Sequence, residues 1–157
     1  MKMRLAIVAL LSSSLSWALP MQYMIDLNFA QGLVEQTMQT CQKLSRPAAV
    51  VVLDHSGQLI ASQRHETVGP HNLTAARKKA YTAFSSKTAT LNFMRQAQSN
   101  PDSKNLSDFN ELLLLGGGVP IYYKQQLIGA LGVAGAGGSE QDHTCAHQAL
   151  HQVINKP

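Results

Sequence analysis

Between Leu112 and Gly137 the chain reads LLLLGGGVPIYYKQQLIGALGVAGAG, and this alternation of short apolar runs with glycine leaves few folds open. Each run is shorter than an ordinary helix, and Gly116-Gly117-Gly118 and Lys124-Gln125-Gln126 interrupt the pattern where turns belong. Leu112 to Leu115, Val119 to Tyr123 and Leu127 to Ala134 therefore read as three short strands in a meander.

Upstream, the β-branched run Ala49 to Leu53 and the extended pattern Leu59 to Gln63 flank Asp54-His55-Ser56-Gly57, which has turn chemistry, so a β-hairpin is expected. Helical spacing of Ala30, Leu33, Val34, Thr37, Cys41 and Leu44 predicts an amphipathic helix that stops before Pro47, with Asn28 and Gln31 resembling a capping box. Gly69-Pro70 breaks the chain, Asn72 is placed to cap, and Thr74 to Ser85 is rich in helix formers. Ala76, Ala80 and Ala83 share one side of that helix, where small side chains let it lie close to a sheet. A short helix from Thr90 to Ala97 precedes an exposed polar loop, Ser99 to Asp108, and a last helix capped by Ser139 with Asp142 carries the stripe Ala146, Ala149, Leu150, Val153 and Ile154. The element order αββααβββα predicts an α/β chain of the α+β kind, with a five-stranded antiparallel sheet flanked by helices.

Met1 to Ala18 begins with Lys2 and Arg4, continues through the apolar run Leu5 to Leu11 and ends in small residues, the pattern of a secretory signal. The run is too short to span a bilayer, for which about 20 residues are needed. Cleavage after Ala18 leaves residues 19–157 as a single domain, exported to the periplasm or secreted, with no membrane span. Lys2 and Arg4 account for two of the +4 formal charges, so the mature chain carries about +2. Its one basic cluster, Arg77, Lys78 and Lys79, suits a small anion better than nucleic acid. The two cysteines, Cys41 and Cys145, fall near the end of the first mature helix and the start of the last. Antiparallel packing of those helices permits a disulfide in an oxidising compartment; two buried free thiols are the alternative.

Several chemistries can be weighed on spacing. His143, His147 and His151 recur every four residues on the last helix, where two imidazoles can share an ion, but no HExxH pattern accompanies them and a solvated polar border accounts for them as well. Gly135-Ala136-Gly137 lacks the last glycine of a dinucleotide loop, and no acidic residue follows at the required distance. No nucleophile elbow or serine triad can be drawn, so no catalytic residue is assigned. His65 and His71 flank a Gly-Pro loop before a cationic helix, as ligands or as ordinary loop residues bonded to backbone.

Taken together, the first helix, the hairpin VVLDHSGQLIASQRHE, the motif Lys79-Ala80-Tyr81-Thr82-Ala83, the turn Gly116 to Ile121 and the run IGALGVAGA from Ile128 to Ala136 resemble the GlcG/HbpS family of haem-binding domains, also described as haem-degrading. The resemblance extends over most of the mature chain and matches exported members that carry Arg64-His65-Glu66 and Gly69-Pro70-His71. It implies a profilin-like fold, a homo-oligomer, and haem or another tetrapyrrole as ligand. In that setting His65 or His71 would approach the iron. Arg64, Arg77 and Lys78 would receive propionates, and Thr74, Tyr81, Gly117 and Gly118 would complete the cofactor-binding set. Three roles follow: an exported protein that scavenges, stores or senses haem; an enzyme that degrades haem oxidatively; or an interaction module of an exported oligomer with no dedicated cofactor.

Overall fold

A computed structural model describes residues 21–44 and 46–155; the expected leader, Met1 to Ala18, lies outside them. Helix α1 (Leu27–Leu44) is followed by strands β1 (Ala49–Leu53) and β2 (Leu59–Arg64), helices α2 (His71–Ser86) and α3 (Thr90–Ser99), strands β3 (Gly118–Tyr123) and β4 (Gln126–Ala134), and helix α4 (Ser139–Ile154). The strands form one antiparallel sheet in the order β2-β1-β4-β3. The α+β class is as expected, with four strands rather than five.

Strand β1 owes its central place to its composition, since all five residues of Ala-Val-Val-Val-Leu are buried. Side chains alternate across the sheet. Val50 and Val52 join Leu33, Val34, Leu131, Val133 and Leu150 in a core roofed by α1 and α4. Val51 and Leu53 face the other way, onto Ala76, Ala80 and Ala83 of α2. That second layer is thin because both partners are small: a Cβ on Gly132 would sit 2.0 Å from the Ala76 carbonyl oxygen, so α2 rests almost on the strand backbone.

Helix α2 is held in that position by a buried ion pair. Lys79 projects from the same side as Ala76, Ala80 and Ala83, and its Nζ donates to Asp142 Oδ2 at 2.7 Å and to the Val133 carbonyl at 3.1 Å. The other carboxylate oxygen, Oδ1, accepts from the Ala136 backbone N–H at 2.7 Å. Both side chains are almost wholly buried, at 4% and 3% exposure, so each charge depends on the other. The glycine turn closes over the pair. Gly118 admits no Cβ, which would fall 2.1 Å from the Lys79 carbonyl oxygen, and Gly117, at φ 123°, would carry one 2.9 Å from Asp142 Cβ.

On the opposite face the sulfurs of Cys41 in α1 and Cys145 in α4 are bonded, with their Cα atoms 5.0 Å apart across a sequence separation of 104. Both residues are fully buried in the apolar layer beneath the two helices.

Four expectations need correction. Leu112–Leu115 is not a strand: the Leu113 N–H donates to Thr82 Oγ1 of α2 at 2.8 Å, and Leu115 N–H bonds back to the Leu113 carbonyl, which curls the segment away from any ladder. Part of the expected polar loop is a 3-10 segment, Pro101–Asp108, begun by Asn100, whose side chain accepts from Asp102 N–H. The helix caps also differ. Asp26, not Asn28, accepts from the Phe29 N–H; Asn72 lies inside α2; and Asp142 spends its carboxylate on Lys79 and Ala136. The surface cation cluster is Arg77 and Lys78 alone, because Lys79 is internal.

Replacing Lys79 by Met strands a buried carboxylate and should lower the unfolding free energy in urea by about 3–5 kcal/mol. Adding Asp142→Asn, which removes the charge but keeps an acceptor for Ala136, should recover much of the loss; a double variant no more stable than the single would overturn this account of the pair. Reduction of the Cys41–Cys145 bond should cost roughly 2–4 kcal/mol, read as a lower urea midpoint with reductant than without.

Candidate functional site

With Ala76, Lys79, Ala80 and Ala83 committed inward, the outer side of α2 presents Thr74, Arg77, Lys78 and Tyr81. At 100° per residue these four fall within one arc of the helix, and His71 continues the arc at its N-terminal end. Thr74, Arg77, Lys78 and Tyr81 line an open cleft of about 380 Å³ whose opposite wall is Asn110 and Glu111. Neither cation belongs to an ion pair among the described residues. Tyr81 is partly open to solvent, so its ring offers a flat apolar face beside two unpaired positive charges. This combination accepts a planar, apolar body that carries carboxylates.

The other expected site residues lie elsewhere. Gly117 and Gly118 are buried beneath Lys79, on the far side of α2 from the cleft, and reach it only through the position they allow that helix. Arg64 turns one guanidinium nitrogen, Nη1, to the backbone carbonyls of His65, Glu66 and Val68, which ties down the turn after β2, and it does not line the cleft.

The two candidate histidines sit on either side of that turn with different hydrogen bonding. His65 Nδ1 lies 2.9 Å from Thr67 Oγ1, accepts weakly from the Thr67 N–H at 3.3 Å, and has the Glu66 carboxylate 3.5 Å away. An accepting Nδ1 puts the proton of the neutral ring on Nε2. His71 shows the reverse arrangement: the Asn72 amide nitrogen, fixed as a donor by its bond to the Gly69 carbonyl, lies 3.3 Å from His71 Nε2. His71 Nε2 is thus the acceptor nitrogen, and its lone pair is turned toward the Asn72 amide, a long contact that a metal ion would have to displace.

Sequence reasoning missed Asn110, Glu111 and the Lys79–Asp142 pair. The first two follow the 3-10 segment, whose return path no local pattern specifies. Lys79 did leave a signal: it occupies the i+3 position between Ala76 and Ala80 on the small-residue stripe, where a cation must find a buried acid. On α4, the rings of His143 and His147 approach with centres 5.9 Å apart. Burial and the neighbouring His147 hold the His143 imidazole below the usual histidine range. Among the described residues no three His, Cys, Asp or Glu side chains are grouped to hold a metal, and no helix is long and apolar enough to cross a membrane.

Comparison with known proteins agrees with this architecture. A 15.0 kDa protein from the dhaT-dhaS intergenic region of Citrobacter freundii is 28% identical over 128 residues, covering 80% of this chain and 89% of its own. The crystal structure of HbpS superposes with a TM-score of 0.79 at 26% identity, over 92% of this chain and 99% of that one. PduOC, solved as a haem complex, superposes with a TM-score of 0.71 at 27% identity, over 83% of this chain and 95% of that one. The family model for haem-degrading, HbpS-like proteins matches residues 25–151, nearly the whole of the folded unit described above, and the chain belongs to that family.

Proposed function

We propose that this protein binds haem, or a closely related tetrapyrrole, in the cleft on the outer side of α2, and that it does so after export. The observation that carries the reading is the convergence of Arg77, Lys78, Thr74 and Tyr81 on one cleft, in a chain whose relative PduOC was solved with haem bound. The residues suit the ligand. Arg77 and Lys78 would receive the propionates, with Arg77 able to grip one carboxylate through two N–H groups. Tyr81 and the aliphatic stem of Lys78 would lie against the ring, and Thr74 and Asn110 can hydrogen-bond at its edge. For the iron, His71 is the better candidate than His65, because it shares the arc of the cleft residues on α2. When bound, the haem iron would supply the redox chemistry; the protein's part is to hold the ring, anchor its carboxylates and present an imidazole.

Export is supported by the leader pattern of Met1 to Ala18 and by the joined cysteines, which suit an oxidising compartment. Scavenging, storage or sensing is the role we assign, in a homo-oligomer of the kind the family resemblance implies. Oxidative haem degradation is the second reading, favoured by the family's description.

Titration of the mature, untagged protein with haemin should give a saturable Soret shift at about one haem per chain. His71→Ala should change the position of the band, and His65→Ala should leave it in place. Arg77→Ala with Lys78→Ala should weaken binding by at least tenfold, consistent with the loss of charge-assisted hydrogen bonds worth about 1.5–3 kcal/mol each. A shift no larger than that given by an unrelated protein of similar charge would refute the haem reading. Bleaching of the Soret band with release of iron under reductant would identify turnover, whereas a band stable for hours would identify a binding protein.

A further inference from the structure

Helix α4 carries a pair of imidazoles for which the haem reading has no use. His143 and His147 stand one helical turn apart, with ring centres 5.9 Å apart and ring planes inclined by 37°. Two imidazoles that bind one ion at zinc-like distances of about 2.0–2.1 Å can have their ring centres up to about 6.4 Å apart, so this pair can close on a single ion by small side-chain rotations.

The two rings differ in their surroundings. His143 is half-buried, and its Nδ1 is the one buried side-chain nitrogen or oxygen among the described residues with no hydrogen-bond partner. Burial therefore falls on the Nδ1 edge and leaves Nε2 to meet a ligand; coordination through Nε2 keeps the proton on a buried Nδ1 that has no acceptor, a cost the bond to the ion has to outweigh. His147 is exposed, so an ion between the rings would keep coordination positions open to water. On the same helix Glu140 is paired with Arg95 of α3 and still acts electrostatically on His143. His151, one turn further on, borders a separate shallow cleft with Tyr122 and Ile154, which His147 also reaches.

We propose that His143 and His147 form a binding site for a divalent transition-metal ion, with water in the remaining positions. Imidazole donors suit Cu²⁺, Ni²⁺ and Zn²⁺, and the usual order of stability places Cu²⁺ first. With only two protein ligands the ion is exchangeable, unlike the closed four-ligand sites that hold a fold together. The site lies on α4, across the sheet from the cleft on α2, and does not depend on haem.

Cu²⁺ titration of the purified, untagged protein in a non-coordinating buffer, followed by calorimetry and the visible absorption of the bound ion, tests the site. One ion per chain is expected above the background common to all variants, with Ni²⁺ bound more weakly. His147→Ala should weaken Cu²⁺ binding at least tenfold while leaving the melting temperature unchanged, because that side chain is exposed. His143→Gln should do the same, its thermal melt separating ligand loss from unfolding; if it does not fold, His147→Ala decides. His151→Ala and His71→Ala should stay within twofold of the parent. Absence of saturable binding, binding that survives in His147→Ala, or an equal loss in His151→Ala would each overturn the assignment.

Discussion

A lysine ammonium cannot remain charged among alanines and a strand backbone without a partner, and in this fold the partner is recruited from 63 residues away. The Lys79–Asp142 pair joins α2 to the first turn of α4, while its remaining hydrogen bonds reach the end of β4 and the turn that follows. Helix α2 is thereby fixed in register against the end of β4, the turn after it and the start of α4. The pair lies under a turn that has to be glycine, where a Cβ at 117 would fall 2.3 Å from the Val133 carbonyl oxygen and one at 118 would fall 2.1 Å from the Lys79 carbonyl oxygen. The rotation of α2 follows from the pair. With residue 79 turned inward, Thr74, Arg77, Lys78 and Tyr81 can only point out, so the electrostatics of the interior decide which side chains face the cleft.

The two faces of the sheet divide the work. Beneath α1 and α4 the layer is thick, filled by Leu33, Val50, Val52, Leu131 and Val133, and crossed by the bond between Cys41 and Cys145. Beneath α2 it is thin and made of alanine and glycine. A helix seated that closely has little freedom to shift. Its outer surface is accordingly a rigid platform, which suits groups that must hold a planar ligand at fixed points.

Much of this was legible in the sequence where a pattern is local. The run Ala-Val-Val-Val-Leu, the Asp54 to Gly57 turn and the alanines of α2 each announce their structure, and Thr74, Arg77, Lys78 and Tyr81 do meet at one cleft. What escaped depends on partners distant in the chain. Leu112 to Leu115 looks like a strand by composition, but its backbone is drawn off by Thr82. Asp142 looks like a capping residue by position, but a lysine in another helix claims it. Arg64 looks like an anion receptor by charge, but it turns one nitrogen to the carbonyls of its own turn and stands away from the cleft. Each of these groups meets a partner inside the protein that no local pattern names.

The strand order has a consequence for how the chain reaches this structure. β1 pairs with β2 immediately after it and with β4 some eighty residues later, in register from Ala49 opposite Ala134 to Leu53 opposite Ala130. Until β4 has been synthesised, the most apolar strand of the protein has one open edge and no roof from α4. Such long-range pairing slows folding and leaves a sticky strand exposed while the chain is incomplete. Residues 49–53 keep an unpaired apolar edge until residues 126–134 are in place, and in that interval the strand can pair with a second chain as readily as with its own partner.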